Sequence, residues 1–200
     1  MNKKQEILAA AFDLFCERGY QLSMSELAGA VGIKTPSLYS HFSGKDEIVE
    51  QMIREEVFRY FERLDEKMRG AEHMRCADAM KSFFFFAIQY FSEYKRLRFW
   101  RTIPLISNEP LREKCALLIA ENDRVYNERM RQCFLKGVKN GELRPEASDG
   151  ALYLYLAMIQ GVLDGMLLFP KNGGERTLAA SVFDAYWSGV RMPPEECDFA

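Results

Sequence analysis

Residues 22–53 read LSMSELAGAVGIKTPSLYSHFSGKDEIVEQMI, and this stretch decides the fold. Ser23 followed by Glu26 predicts a capping box, in which the hydroxyl and the carboxylate each accept a hydrogen bond from a free backbone amide. A helix that begins there ends at Gly32, because glycine best tolerates the left-handed conformation of a helix C-terminus. Its apolar face consists of Leu27, Ala28 and Val31. The pattern predicts a short amphipathic helix closed by a tight turn.

A second short helix, over residues 36–42, is predicted directly after this turn. Thr35 is placed to cap it, and Pro36 takes the first helical position, where its missing N–H costs nothing. Leu38 and Phe42 lie one turn apart and face the core. The side chains then turned outward are Pro36, Ser37, Tyr39 and Ser40, with His41 at the flank.

A preceding helix over residues 3–18, ending at Gly19, completes the layout of a helix-turn-helix. In that motif the second helix of the pair enters the major groove of DNA. Small polar side chains let the backbone approach bases and phosphates, and Lys34 and Lys45 bracket the helix as phosphate contacts. The predicted DNA contacts are Lys34, Thr35, Pro36, Ser37, Tyr39, Ser40, His41 and Lys45, with Lys3 and Lys4 as further phosphate or minor-groove contacts.

Charge alone does not indicate a nucleic-acid partner. The formal net charge is −2, the pI is near 5.8, and residues 1–48 carry five basic against six acidic side chains. Several of these acids sit at predicted helix N-termini or on the first helix, so they need not share the face of Lys34 and Lys45. A three-helix packing unit without DNA binding therefore stays open as the alternative.

The same stretch resembles the N-terminal helix-turn-helix of the TetR family of bacterial repressors. The resemblance rests on the turn around Gly32, a third helix ending Leu-Tyr-x-His-Phe, and Lys45 followed by acids that open a long helix. It implies an all-helical homodimer that binds a palindromic operator and releases it when a small effector binds the C-terminal domain. By position, the residues that match family DNA contacts are Thr35, Ser37, Tyr39, His41 and Lys45.

The whole chain has the composition and periodicity of an all-α protein. Of its 200 residues 48% are hydrophobic and 28% charged, and apolar positions recur at three and four along almost the whole length. Eight or nine helices are expected. The predicted domains are a helix-turn-helix DNA-binding domain at 1–48, an effector-binding and dimerisation domain at 49–192, and a C-terminal tail at 193–200.

Two ridges of small residues predict close helix packing near the C-terminus. They consist of Ala157, Gly161 and Gly165 in one helix, and of Ser181, Ala185 and Gly189 in the next. Interior glycines destabilise a helix, so a closely packed partner helix should compensate. That partner is either a second copy of the chain or another helix of the same chain. Asp164, in the same apolar stretch, either pairs with an arginine across the dimer or recognises a cationic ligand.

The central part of the chain is rich in aromatic residues, which ordinarily form core. A ligand pocket between bundle helices has the same kind of lining, with a few polar groups that orient the ligand. The candidate pocket residues are Phe84, Gln89, Trp100, Arg101, Asn122 and Tyr126. This composition favours an apolar or aromatic effector.

The sequence gives little support for a secreted protein, a membrane protein, an enzyme or a metal-binding protein. The five cysteines are scattered without a C-x-x-C pair, the N-terminus lacks a signal-peptide pattern, and residues 151–169 are interrupted by Gln160 and Asp164. Enzyme and metal motifs are absent from the sequence. We therefore expect a cytoplasmic regulator that is neither an enzyme nor a membrane protein and needs no metal or cofactor. The alternative from another class is a helical carrier of hydrophobic small molecules that does not bind DNA.

Overall fold

In the computed structural model, which describes residues 2–146, 149–169 and 175–193, the chain is all-α, as predicted. Two single 3₁₀ turns, Gly19–Gln21 and Ile103–Leu105, accompany the helices. Over these residues there is no strand, and β pairing is limited to one isolated bridge between Leu143 and Arg191. The helices are α1 (Lys3–Arg18), α2 (Met24–Val31), α3 (Thr35–Tyr39), α4 (Lys45–Gly70), α5 (Cys76–Tyr90), α6 (Tyr94–Thr102), α7 (Glu109–Lys139), α8 (Asp149–Leu168) and α9 (Glu175–Val190).

The chain forms two compact units, and the first consists of Met1–Arg63 and Phe91–Asp123. In this unit α1 packs against both α2 and α6. The ring of Phe99 in α6 stacks on Phe12 at 4.7 Å and meets Phe15 edge-on at 5.4 Å. Helix α6 is therefore part of the same core as the three N-terminal helices.

The second unit consists of Leu64–Tyr90 and Arg124–Ala200. Helix α5 packs against α8 and α9 around the fully buried Phe84, whose ring lies 5.5 Å from that of Phe183. The buried hydroxyl of Tyr155 donates to the carbonyl oxygen of Met80 at 2.9 Å, so this polar group has a hydrogen-bond partner within the aromatic core.

Helix α3 differs from its predicted bounds at both ends. Lys34 takes the N-cap position, so Thr35 and Pro36 are the first two helical residues. At the other end the Ser40 hydroxyl donates to the Ser37 carbonyl oxygen at 2.7 Å, and the helix ends at Tyr39 instead of Phe42. A serine side chain that bonds nearby backbone competes with helix continuation, which explains the early end.

Helix α8 is long and apolar enough to cross a membrane by length and composition. Its window Gly150–Leu168 has a mean hydropathy of 1.6, and one third of that window is buried. A single such segment is weak evidence for a membrane span, because core and interface helices of soluble proteins have the same composition. Much of this apolar helix is therefore exposed.

Candidate nucleic-acid interface

Local capping sets the start of α2. The Ser23 hydroxyl accepts from the Glu26 backbone N–H at 3.2 Å, and the Glu26 carboxylate accepts from the Ser23 backbone N–H at 2.9 Å. Hydrogen bonds from the Ser23 hydroxyl and backbone hold the pKa of Glu26 below its ordinary value. At the other end Gly32 adopts φ 70° and ψ 32°, the left-handed conformation that was expected of it. The predicted capping box and turn are confirmed.

Helix α3 presents two chemically different faces. Leu38 is 0% and Phe42 2% exposed, so both are anchored in the core. Tyr39 is 55% exposed, on the solvent side of the same helix. The remaining predicted contacts on this segment are Lys34, Pro36, Ser37 and Ser40, which are exposed, and Thr35 and His41, which are half-buried. The outer face is thus polar and free of acidic side chains.

Lys45, which was predicted to contact a DNA phosphate, contacts Tyr20 within the same unit. Its Nζ donates to the carbonyl oxygen of Tyr20 at 3.0 Å and lies 3.9 Å from the centroid of the Tyr20 ring. This lysine therefore fastens the first turn of α4 to the segment that follows α1. Lys4 lies over the ring of Phe42 at 5.1 Å, which places a second cation beside the end of α3.

Five of the six acidic side chains in residues 1–48 are engaged with neighbouring groups, and the sixth, Glu17, lies on α1. Asp13 pairs with Lys95 at 2.9 Å, and the Glu47 carboxylate accepts from the Ser43 hydroxyl at 2.7 Å. The remaining engaged acids are Glu6 with Lys3, Glu26 with Arg18 and Ser23, and Asp46 with Tyr20 and Asn108. The slight excess of acid in residues 1–48 therefore does not lie on the outer face of α3.

One polar cluster in the first unit was not found from the sequence. The Asn108 side-chain NH₂ donates to Asp46 at 2.8 Å and to the Tyr20 hydroxyl at 3.3 Å, while its side-chain oxygen Oδ1 accepts from the Leu111 backbone N–H at 3.1 Å. Burial, and then the hydrogen bond with Asp46, raise the pKa of Tyr20. An asparagine just before a helix is a recognisable cap signal, but the sequence gives no sign that Asp46 and Tyr20 lie beside it.

The residues predicted for dimer contacts form an exposed surface on α8 and α9. Gly165 is half-buried, and the others, Ala157, Gly161, Asp164, Ser181, Ala185 and Gly189, are exposed or half-buried at the surface of these helices. A Cβ added at Gly161, Gly165 or Gly189 would meet no heavy atom within 4 Å in the described part of the chain. Among the described residues, no neighbouring helix therefore packs closely against these three glycines, as the alternative interpretation would require.

The same two helices border an open apolar groove of about 680 Å³. Its lining includes Gly161 and Gly165 from the predicted ridge, and none of the six predicted ligand residues. The other lining residues are Leu154, Met158, Val162, Met166, Phe169, Leu178, Val182 and Tyr186.

The predicted ligand residues fall in both units. In the second unit Phe84 is core, Gln89 is exposed and Tyr126 is half-buried. The first unit contains Trp100, Arg101 and Asn122, all half-buried, and there the Asn122 side chain donates to the Leu118 carbonyl oxygen at 2.8 Å.

Trp100 belongs to an aromatic cluster within the first unit. Its ring lies 5.4 Å from that of Tyr60 and 5.7 Å from that of Phe91, with edge-to-face geometry. The indole Nε1 is buried, and no acceptor for it exists among the residues that the structure describes. Tyr60 was not singled out from the sequence, because its role depends on helices far apart in the chain.

Comparisons with known proteins agree with this geometry. Residues 7–52 match the sequence model of the family described as "Bacterial regulatory proteins, tetR family". The transcriptional repressor AcnR of Corynebacterium efficiens is 23% identical over 194 residues, which are 96% of this chain and 95% of that protein.

Solved structures of similar fold cover almost the whole chain. The TetR family transcriptional regulator PfmR from Thermus thermophilus is 25% identical, with a TM-score of 0.68 over 96% of this chain and 100% of that one. FadR from Bacillus subtilis in complex with stearoyl-CoA is 19% identical, with a TM-score of 0.73 over 92% and 98% of the two chains. The polar outer face of α3 lies within residues 7–52, and this part of the chain is the N-terminal helix-turn-helix of the TetR family of bacterial regulatory proteins.

Proposed function

We propose that this protein is a cytoplasmic, homodimeric repressor that binds an inverted-repeat operator through α3 and releases it when a small apolar or aromatic effector binds. The observation that carries the proposal is the pair of faces of α3. Leu38 and Phe42 anchor the helix in the core, and its polar, acid-free side faces solvent. The DNA contacts proposed are those predicted from the sequence, with Lys45 acting mainly as a support for α4.

The exposed apolar surface of α8 and α9 supports the homodimer. Large apolar side chains there are far from buried, with Leu154 at 56%, Phe169 at 62% and Leu178 at 59% exposure. Contiguous apolar surface of this kind marks an interaction site, and the neighbouring glycine ridges allow two helix backbones to approach closely. A second copy of the chain is the simplest partner, because a two-fold interface brings the same surface from both protomers.

Two-fold symmetry also suits the reading of DNA. A dimer presents two copies of α3, and related helix-turn-helix dimers place them about 34–36 Å apart, one turn of the duplex. The operator is then an inverted repeat whose half-sites match that spacing.

The effector class follows from the cluster around Trp100. The rings of Tyr60, Phe91 and Trp100 offer apolar contact, and the buried indole N–H offers a hydrogen-bond donor. Buried donors are normally satisfied, so a ligand with an apolar body and one acceptor atom suits this group. That FadR was solved with stearoyl-CoA, which carries a long acyl chain, supports an apolar effector.

Coupling between effector and DNA can pass through α6. This helix carries Trp100, while its Phe99 stacks on Phe12 of α1 and its Arg96 pairs with the buried Glu56 of α4 at 3.2 Å. An effector that prefers a different position of α6 would therefore shift α1 and α4. Operator affinity would fall by a factor set by how much more tightly the effector binds this second state than the DNA-binding state.

The first experiment is selection of bound duplexes from a random DNA pool, followed by titration of the enriched site against salt. We expect an inverted repeat and a steep fall of affinity with salt, because phosphate contacts release counterions. The matched variant is Lys34→Ala, which removes an exposed cation and should reduce the salt slope by about one for each half-site whose phosphate this lysine contacts. No enrichment from a folded, dimeric protein would overturn the proposal and favour the carrier of hydrophobic molecules.

The dimer surface needs its own test. Gly161→Leu places a bulky side chain in the α8 ridge and should convert the dimer to monomer in sedimentation velocity. Gly70→Leu is the control, because an added Cβ there also meets nothing within 4 Å of described residues, and Gly70 lies at the end of α4. If the Gly161→Leu variant is still a dimer at micromolar concentration, the surface of α8 and α9 is not the dimer interface.

A further inference from the structure

Two cysteines of the second unit lie in contact. The sulfur atoms of Cys76, the first residue of α5, and Cys133, in α7, are 3.6 Å apart and share a hydrogen bond. A disulfide needs an S–S distance of about 2.05 Å, so the two sulfur atoms must approach each other by about 1.5 Å to form one.

Glycine at position 137 makes this contact possible. A Cβ added at Gly137 would lie 2.9 Å from the Cβ of Cys76 and 3.0 Å from its Sγ. Because Gly137 is one helical turn after Cys133, the missing side chain lets Cys76 approach α7 beside the second thiol. The sequence pattern, with its scattered cysteines, gave no sign of this pair.

The pair is open to a small reagent. Cys133 is half-buried, and both cysteines line a cavity of about 280 Å³ together with Met68, Phe83 and Lys136. Hydrogen bonding with the Cys76 thiol lowers the pKa of Cys133, and the Lys136 charge acts in the same direction, while burial and Glu142 oppose it. The Cys76 thiol, which is buried, keeps its proton because the bond to Cys133 and its burial raise its pKa.

From this geometry we infer that Cys76 and Cys133 form an oxidisable dithiol site whose substrate is a hydroperoxide. No group of three His, Cys, Asp or Glu side chains able to hold a metal occurs among the described residues, so the pair has no third ligand for a metal site.

The chemistry balances with one hydroperoxide. The Cys133 thiolate attacks the terminal peroxide oxygen, an S–O bond forms as the O–O bond breaks, and the leaving alkoxide or hydroxide takes a proton. The Cys76 sulfur then attacks the Cys133 sulfenic acid, an S–S bond forms, and the expelled hydroxide leaves with the Cys76 proton as water. Two thiols are oxidised by two electrons in total, and the peroxide is reduced to an alcohol, or to water, plus one further water.

The test uses the 200-residue chain with Cys197→Ser, because Cys197 lies outside the described residues. After reaction with stoichiometric hydrogen peroxide, we expect a mass loss of two hydrogens and one cross-linked peptide pair that joins Cys76 to Cys133. Dithiothreitol should reverse both. The cross-link closes a long loop, so the Tm of the oxidised protein should rise by roughly 5–10 °C.

Three cysteine variants test the role of each thiol. Cys76→Ser should stop at a dimedone-reactive sulfenic acid on Cys133, Cys133→Ser should not form the cross-link, and Cys115→Ser, which removes a buried thiol of the same helix, should behave as the parent. Two results would overturn the inference: both thiols stay open to alkylation after peroxide treatment, or sulfenic acid forms on another cysteine in Cys76→Ser.

Discussion

Two adjacent residues of α3 allow a direct test of its two faces. Leu38 is 0% and Tyr39 55% exposed, so Leu38→Ala should mainly lower the stability of the fold, and Tyr39→Ala should mainly weaken DNA binding. Truncation of Leu38 removes Cγ and both methyl groups from a fully buried site. At roughly 0.8 kcal/mol per buried CH₂ the lost transfer free energy is about 2.4 kcal/mol, and the cavity left behind brings the total to about 3–5 kcal/mol.

Tyr39→Ala should change the free energy of unfolding by less than about 0.5 kcal/mol, because the side chain is mostly solvated. The same substitution should weaken DNA binding much more. One hydrogen bond contributes about 1–1.5 kcal/mol, and a dimer loses two of them, which corresponds to roughly a 30- to 150-fold weaker operator Kd.

Stability is measured by urea unfolding in a Trp187→Phe background. The chain has two tryptophans, so the fluorescence then reports only Trp100, which lies in the same unit as α3. Affinity is measured by anisotropy of a labelled operator at fixed salt. Equal destabilisation by the two variants would refute the assignment of faces. A folded Tyr39→Ala protein with unchanged affinity would show that this side chain does not contact the operator.

Other parts of the first unit give further predictions. Gly32→Ala should cost about 1–2 kcal/mol of unfolding free energy, since φ is 70° there, whereas Gly44→Ala, with no atom within 4 Å of the added Cβ in the described chain, should be nearly neutral in the same urea assay. Ser23→Ala should cost about 1 kcal/mol through the lost cap, and Ser23→Asp should recover most of it. The Lys114 hydrogen bond lowers the pKa of Glu50, so its contribution is present above the unfolded pKa and is lost as pH falls through the folded pKa. In Lys114→Met the fall of Tm between about pH 5 and pH 3 should therefore be shallower than in the parent, and an equal fall would contradict the pairing.

Local chemistry determines how much of this fold was predictable. The capping box at Ser23, the turn at Gly32 and the faces of α3 depend on residues within a few positions of one another, so the sequence predicted them. The end of α3 was wrong by three residues, because the Ser40 hydroxyl bonds the Ser37 carbonyl oxygen, a local competition that periodicity does not show.

Contacts between distant segments were out of reach. Asn108 with Asp46, Arg96 with Glu56, and the thiol pair of α5 and α7 each join residues 40 or more positions apart. The side chains concerned are ordinary polar or charged residues whose partners are set only by the packing of whole helices. Which aromatic residues lie beside Trp100 depends on packing in the same way.

The shared core of the first unit limits how the DNA-binding part can be exchanged between proteins. A graft of residues 1–48 onto another regulator would leave behind Phe99 and Asn108, the partners of Phe12 and Asp46. Such a chimera exposes an apolar ring and loses the hydrogen bond from Asn108 to Asp46 at the start of α4. Retargeting this regulator to a new operator is therefore better done by substitution on the outer face of α3 than by exchange of whole helices.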